Sequence, residues 1–304
     1  MGRDITNVAA SVRQRLLNIA RASNRPFNEV LQHFAMERFL YRLTASPHSD
    51  RFVLKGALMM MVWEVPVSRP TMDIDLLGQI DNEIDVLASV ARDICQQQVE
   101  PDGMAFDAAT VEGSRIAEDA EYEGVRVRFR GTLGTARVSM QLDIGFGDAV
   151  IPNPVLSDYP TILDLPAPRV RGYTRESVVA EKLHAMVKRG LLNSRVRDYF
   201  DIWLLSHQFE FDGPTLAEAI QVTFSRRRTA IPTNPVGLTE DFASEPGRRA
   251  QWRAFLRKGR LAGVPEDLHR VVERVAAFLQ PVLEGLRAAS LKPARWSTDG
   301  GWVG

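Results

Sequence analysis

The chain has 304 residues, 45% apolar and 25% charged, and its 38 basic residues balance 38 acidic ones. That apolar fraction excludes disorder as the dominant state, and the longest uninterrupted apolar run, Ala57 to Trp63, falls far short of the roughly 20 residues that span a bilayer. A single cysteine, Cys95, excludes a disulfide framework and a multi-cysteine zinc site, and Arg3, Asp4, Arg13 and Arg15 without an apolar run lead to the expectation of a cytoplasmic protein with no membrane contact.

The first 45 residues read as helices. Val8, Val12, Leu16 and Ile19 recur at helical spacing, Pro26 interrupts, and Asn24-Arg-Pro-Phe offers a cap before Val30, Phe34, Phe39 and Leu43. After the turn cluster Ser46 to Asp50 come Phe52-Val53-Leu54, then Lys55-Gly56, then a compact helical run closed by Pro66 and Pro70. Asp73-Ile74-Asp75-Leu76-Leu77 reads as a buried strand and Ile84 to Cys95 as an amphipathic helix. Val125 to Arg130 alternates strictly, Gly131 to Gly134 turns the chain, and Ala136 to Ile144 alternates again, which predicts a hairpin. From Tyr173 the period is helical. Val178, Val179, Leu183, Met186 and Val187 form one stripe with Gly190 as C-cap. A second helix follows from about Ser194 to His207, and a long one from Pro265 to Ala288, kinked at Pro281. Ile231 to Gly247 reads as a loop. The expected organisation is N-terminal helices (1–49), an α/β lobe with a mixed sheet (50–168), a helical lobe (169–288) and a tail (289–304).

Charge is segregated. Between Thr71 and Glu121, 13 acidic residues stand against Arg92 and Arg115, whereas Arg169–Phe200 and Ser225–Arg260 are strongly basic. An acidic stretch suits cations and a basic one suits polyanions, although ordinary surface variation gives the same counts.

Asp73 and Asp75 alternate along one strand, so both carboxylates share a face, with Cα atoms about 7 Å apart. That arrangement suits hard cations such as Mg²⁺; it also suits two carboxylates facing water at a strand end. Asp143, in Gln141-Leu-Asp-Ile-Gly-Phe-Gly-Asp, would join them if its strand is a neighbour, giving a two-metal phosphoryl-transfer site; alone it also suits a sheet edge. Asp148 reads as a turn residue. Lys55-Gly56 at a helix start offers backbone donors to a phosphate, or serves simply as a turn. Lys182 lies on the apolar stripe of its helix, so it either snorkels or meets an anion. Asp198 and Asp201, one turn apart behind Arg195 and Arg197, suit intrahelical ion pairs equally well. The five histidines lack metal-binding spacing, no nucleophilic triad suggests itself, and neither a dinucleotide fingerprint nor a P-loop occurs. Arg226-Arg-Arg228 is the densest basic run, a phosphate grip or a solvated helix face.

Taken in order, Phe52-Val-Leu-Lys-Gly-Ala, Arg69-Pro-Thr-Met-Asp-Ile-Asp-Leu-Leu, Gln141-Leu-Asp-Ile-Gly-Phe-Gly-Asp, Glu181-Lys-Leu and Arg197-Asp-Tyr-Phe-Asp resemble the AbiEii/MenT nucleotidyltransferase toxins of the DNA polymerase β-like superfamily, over roughly residues 25–225. The resemblance implies an α/β (α+β) polymerase β-like nucleotidyltransferase lobe followed by a helical lobe. It implies metal-binding carboxylates at Asp73 and Asp75 with Asp143 the third, Mg²⁺ or Mn²⁺ as the ion, and an NTP as substrate. Lys182 would contact the triphosphate, Asp198 or Asp201 would be a catalytically needed acid, and Lys55, Gly56 and Thr71 would lie along the nucleotide. Many members have Gly-Ser or Gly-Gly where this chain has Gly56-Ala57, so a hydroxyl contact is missing there. The implied acceptor is RNA, by resemblance a tRNA 3′ end, and the implied setting is a toxin–antitoxin or phage-defence system with a cognate antitoxin, without haem or flavin. Thr71, two residues before Asp73, also offers a target for an antitoxin that acts by modification. Two other readings share these residues: a catalytically degenerate module that binds RNA or a partner protein, and nucleotide transfer to protein hydroxyls.

Overall fold

The structure is a computed structural model that describes residues 7–65, 70–116, 124–288, 290 and 294–304; Arg3, Asp4, Pro66, Arg69 and Glu121 of the sequence reading lie outside the described residues. The chain forms two units, one of Met1–Glu64, Thr71–Gly147 and Val155–Gly172, the other of Val65–Pro70, Asp148–Pro154 and Tyr173–Gly304.

The first unit opens with helices α1 (Val8–Ala22) and α2 (Phe27–Ala45). Asn7 caps α1 by accepting from the Ala10 amide, and the expected spacing is met by buried Val12, Leu16 and Ala20. Asn24 is not the cap of α2. It takes a left-handed φ of 52°, a conformation asparagine tolerates at a helix end, while α2 starts directly after Pro26. Then follow β1 (Phe52–Lys55), α3 (Leu58–Val62), β2 (Ile74–Gly78), α4 (Ile84–Gln96), β3 (Met104–Arg115), β4 (Val125–Leu133), β5 (Ala136–Gly145), β6 (Val155–Asp158) and β7 (Arg169–Gly172).

The strands form one mixed sheet in the order β3-β4-β5-β2-β1-β7-β6, with β2–β5 and β1–β7 parallel and the other pairs antiparallel. Alternation puts Val125, Val127, Phe129 and Leu133 of β4 into the core. There Phe39 of α2 meets Phe129 at 4.9 Å and Phe106 of β3 at 5.6 Å between ring centroids. Burying α2 on nearly every side takes charged groups inside as well, and Arg42 forks onto Asp102 at 2.7 and 3.0 Å.

The hairpin turns later than expected. Gly131 stays within β4, because its bare Cα lies where a Cβ would come within 3.0 Å of Phe106 and Val138, and the chain reverses at Gly134 with φ 58°. β3 escaped the sequence reading because it is an edge strand whose register slips between Asp107 and Glu112, and such a bulge destroys the period of two.

The second unit holds α5 (Arg175–Arg189), α6 (Val196–Gln208), β8 (Phe211–Asp212), α7 (Gly213–Arg226), α8 (Glu240–Ser244), α9 (Pro246–Gly259), α10 (Leu268–Arg287), β9 (Arg295–Trp296) and β10 (Trp302–Val303). Gly190 ends α5 with a positive φ, as expected of a C-cap residue. The stretch read as a loop contains α8 and the start of α9, because Thr239 and Glu245 are side-chain caps and Pro246 occupies a first-turn position, where its missing N–H costs nothing. The helix α10 runs through Pro281. In the segment read as a tail, Pro293 is outside the described residues, but β9 pairs with both β8 and β10 in a small antiparallel sheet. Three aromatic rings hold it there: Trp296 is fully buried, its indole donates to the Ser206 carbonyl at 2.8 Å, and Trp302 stacks on Phe278. Among the described residues no helix is long and apolar enough to cross a membrane.

Candidate metal centre and a buried charge cluster

Strand register builds the first constellation. Lys55 of β1 lies opposite Asp75 of β2, Asp75 opposite Asp143 of β5, and Asp143 opposite Arg126 of β4. Aligned positions on neighbouring strands share a face, so four adjacent strands carry a row of charges with two carboxylates inside and a cation at each end. Asp73 precedes Asp75 by two residues, and oxygens of Asp73, Asp75 and Asp143 lie within 4.8 Å of one another. Asp143 is therefore not at a sheet edge, since β5 runs between β4 and β2.

Each carboxylate is placed by a specific neighbour. The Thr71 hydroxyl, buried, donates to Asp73 Oδ1 at 2.7 Å. Gly56 has φ 70°, and a Cβ on it would overlap the Asp75 carboxylate, so only glycine leaves Asp75 its position. Arg126 grips Asp143 with both prongs of its guanidinium, Nε to Oδ1 at 2.8 Å and Nη2 to Oδ2 at 2.7 Å. The buried Gln32 amide of α2 donates to the carbonyls of Met72 and Ser139, both at 3.1 Å, tying the approach to β2 onto β5. Lys55 projects its Nζ toward the Cα of Gly145. The sequence reading named Lys55, Gly56, Thr71, Asp73, Asp75 and Asp143, and the structure brings these six together in the first unit. It missed Arg126 and Gln32. Arg126 sat in a visible alternation, but its partner depends on the β4–β5 register, and Gln32 shows only as one amide in an otherwise apolar stretch.

Three converging carboxylates are hard oxygen donors of the kind that Mg²⁺ and Mn²⁺ take. Oxygens on opposite sides of one such ion stand about 4 Å apart. The three carboxylates each offer an oxygen within 4.8 Å of the others, close to that separation.

The second constellation belongs to the second unit. Lys182 of α5 reaches two aspartates of α6, Asp198 at 3.1 Å and Asp201 at 2.6 Å, and Arg195 stands 2.8 Å from the other Asp198 oxygen. Asp198 is fully buried and Asp201 nearly so. The anion required by a lysine on a buried stripe is thus supplied by the chain itself, and the intrahelical Arg195–Asp198 pair forms as well.

The basic run at 226–228 divides. Arg226 and Arg228 are exposed, but Arg227 turns inward. It donates to Asp148 Oδ1 through Nε and Nη2 at 3.2 and 2.9 Å, and meets His184 Nδ1 at 3.2 Å. Arg227 is thus not a solvated residue but is committed to an ion pair inside the fold, and Asp148 is more than a turn residue: its side chain is buried to receive that cation.

No curated protein matches the chain in sequence. Among solved structures, a Helicobacter pylori protein described as a candidate nucleotidyltransferase is 15% identical with a TM-score of 0.44, over 84% of this chain and 95% of that one. JHP933 from Helicobacter pylori is 17% identical with a TM-score of 0.45, over 83% and 92%. The profile of the nucleotidyl transferase AbiEii toxin family, type IV toxin–antitoxin system, matches residues 38–279 and so spans both constellations. This chain belongs to the AbiEii family of nucleotidyltransferase toxins.

Proposed function

We propose that this nucleotidyltransferase moves a nucleotide from an NTP to an RNA hydroxyl, a tRNA 3′ end by resemblance, with a divalent cation, Mg²⁺ or Mn²⁺, held by Asp73, Asp75 and Asp143. The observation that carries the reading is the convergence of those three carboxylates within 4.8 Å, at a glycine that makes room for one of them. A cation there would lower the pKa of the acceptor hydroxyl and stabilise the charge of the departing pyrophosphate. The chain's own part is placement: Thr71 fixes Asp73, Gly56 leaves Asp75 its space, Arg126 holds Asp143, and Gln32 anchors Met72 beside Asp73. In the second unit we assign Lys182 to the triphosphate and Asp198 and Asp201 to holding its ammonium in place. A type IV toxin–antitoxin protein implies a cognate antitoxin as partner, and the reading extends to growth arrest or phage defence in the cytoplasm.

The experiment is incorporation of each labelled NTP into total RNA with Mg²⁺ or Mn²⁺. Wild type should label a band of tRNA size with at least one nucleotide, and Asp75→Asn should not. Identical behaviour of the two proteins with every NTP sinks the reading and leaves the binding module in its place.

A further inference from the structure

The open face of β4 and β5 continues outward from the carboxylates, and its composition is unlike that of the acidic stretch that precedes it in sequence. On β4 the residues that alternate with the buried Val127 and Phe129 are Arg126, Arg128 and Arg130. On β5 the corresponding face carries Asp143, Gln141, Ser139 and Arg137. Register sets Arg126 against Asp143, Arg128 against Gln141, Arg130 against Ser139 and Arg137 against Thr132. Each successive row of this face, starting at the carboxylates, therefore holds one arginine, with rows about 7 Å apart.

Only the first of these arginines is consumed by the centre. Arg128, Arg130 and Arg137 are exposed. Arg128 reaches no further than the neutral Gln141 side chain at 3.1 Å, and the side chains of Arg130 and Arg137 have no partner among the described residues. The edge strand β3 sets Glu112 opposite Arg128 and Asp107 opposite Arg130. Neither forms an ion pair with them, and Asp107 instead accepts from the Ala109 amide at 3.0 Å. No aromatic side chain stands among the eight that β4 and β5 present on this face, so base stacking is not available there. Guanidinium groups that lack carboxylate partners and line up at strand spacing suit a chain of phosphates.

We propose that this face is the track of the acceptor: a single-stranded RNA end lies along β4 and β5, its phosphates on Arg128, Arg130 and Arg137, with its terminal hydroxyl at the Asp73–Asp75–Asp143 centre. The inference rests on the proposed function and adds the surface that holds the RNA. Because the contacts are to backbone phosphates, the track is indifferent to base sequence and places the strand without reading it.

The test uses the full chain with Arg128→Gln, Arg130→Gln and Arg137→Gln combined, and a second variant with lysine at the same three positions. Binding of tRNA is measured across a salt series, together with the KM for RNA in the incorporation assay and the Mn²⁺-induced shift in melting temperature. Each phosphate of a single strand that the protein no longer neutralises flattens the plot of log affinity against log salt by about 0.7. The glutamine variant should lose about two units of slope, weaken binding to RNAs of different sequence alike, and raise the KM for RNA. Its Mn²⁺ shift should match wild type, and lysine should restore most of the slope. If wild type transfers nucleotide but the glutamine variant keeps the same slope and KM, this surface serves another partner, such as an acidic protein face, and the track is refuted. If wild type neither transfers nucleotide nor responds to Mn²⁺, the proposed function falls and takes the track with it.

Discussion

Gly56 is the residue on which the centre depends most sharply, although it contributes no functional group. Its φ of 70° disfavours any side chain, and the space beside its Cα is filled by Asp75. Gly56→Ala should therefore displace the carboxylate, costing about 1–2 kcal/mol for the backbone alone. We expect Mn²⁺ binding, followed by calorimetry, to be lost while the circular dichroism stays native. Arg126 acts in the opposite sense. It neutralises one of three crowded carboxylates, and as an arginine it remains charged at every accessible pH. Arg126→Met removes a cation near the metal seat in a partly exposed setting, a difference of roughly 1–2 kcal/mol at an effective dielectric between those of protein and water. Mn²⁺ affinity should rise about tenfold. A fall in affinity, accompanied by a lower melting temperature, would make Arg126 a structural pin instead.

Elements matter where helices must be tied through buried charge. Lys182 links α5 to α6 through Asp198 and Asp201, and Lys182→Met removes that shared cation while Arg195 stays beside Asp198. Breaking a buried ion pair by removing one partner costs about 3–5 kcal/mol. The variant should lose that much in urea unfolding. The assignment of Lys182 to the triphosphate adds a second expectation: at a temperature where the variant is folded, its KM for NTP should rise by tenfold or more. An unchanged KM would confine Lys182 to the structural role. The strands β9 and β10 show the same dependence on long-range packing, since these two-residue strands are held by Trp296 and Trp302 seated against Phe278 of α10 and by the Trp296 indole on the Ser206 carbonyl of α6.

The whole molecule should carry a pH signature from one buried acid. Glu37 of α2 is fully buried, accepts from the Ile162 amide at 2.7 Å and pairs with Arg38 at 2.7 Å, and burial pushes its carboxyl up to about 7 from 4.5. Between those two values the folded protein holds a proton that the unfolded chain releases. Its contribution to stability is fully present below about pH 4.5 and is lost as pH rises to about 7, at up to about 1.4 kcal/mol per pH unit. Urea midpoints measured without divalent cations at pH 5, 6 and 7 should show this decline, and Glu37→Gln should flatten it. A wild-type curve as flat as the variant's would mean that Arg38 holds Glu37 ionised throughout.

Local periodicity and short spaced motifs sufficed for the helices α1, α2, α4, α5 and α6, for the alternating strands β4 and β5, and for six residues that meet around one centre. These follow from patterns within a dozen residues, where side-chain direction is set by backbone geometry alone. Other features depend on partners distant in sequence. The bulged edge strand β3, the small sheet sealed by Trp296, the inward turn of Arg227 toward Asp148 and the fork of Arg126 on Asp143 carry no local signature. An arginine reads as surface charge until register or packing sets a carboxylate opposite it. Residue order was enough to single out the carboxylates that converge and the lysine that is buried against acid. The folded chain settled which cations are spent inside, on Asp143, Asp148 and Asp198, and which remain outside, because that choice is made by burial and strand register rather than by residue type.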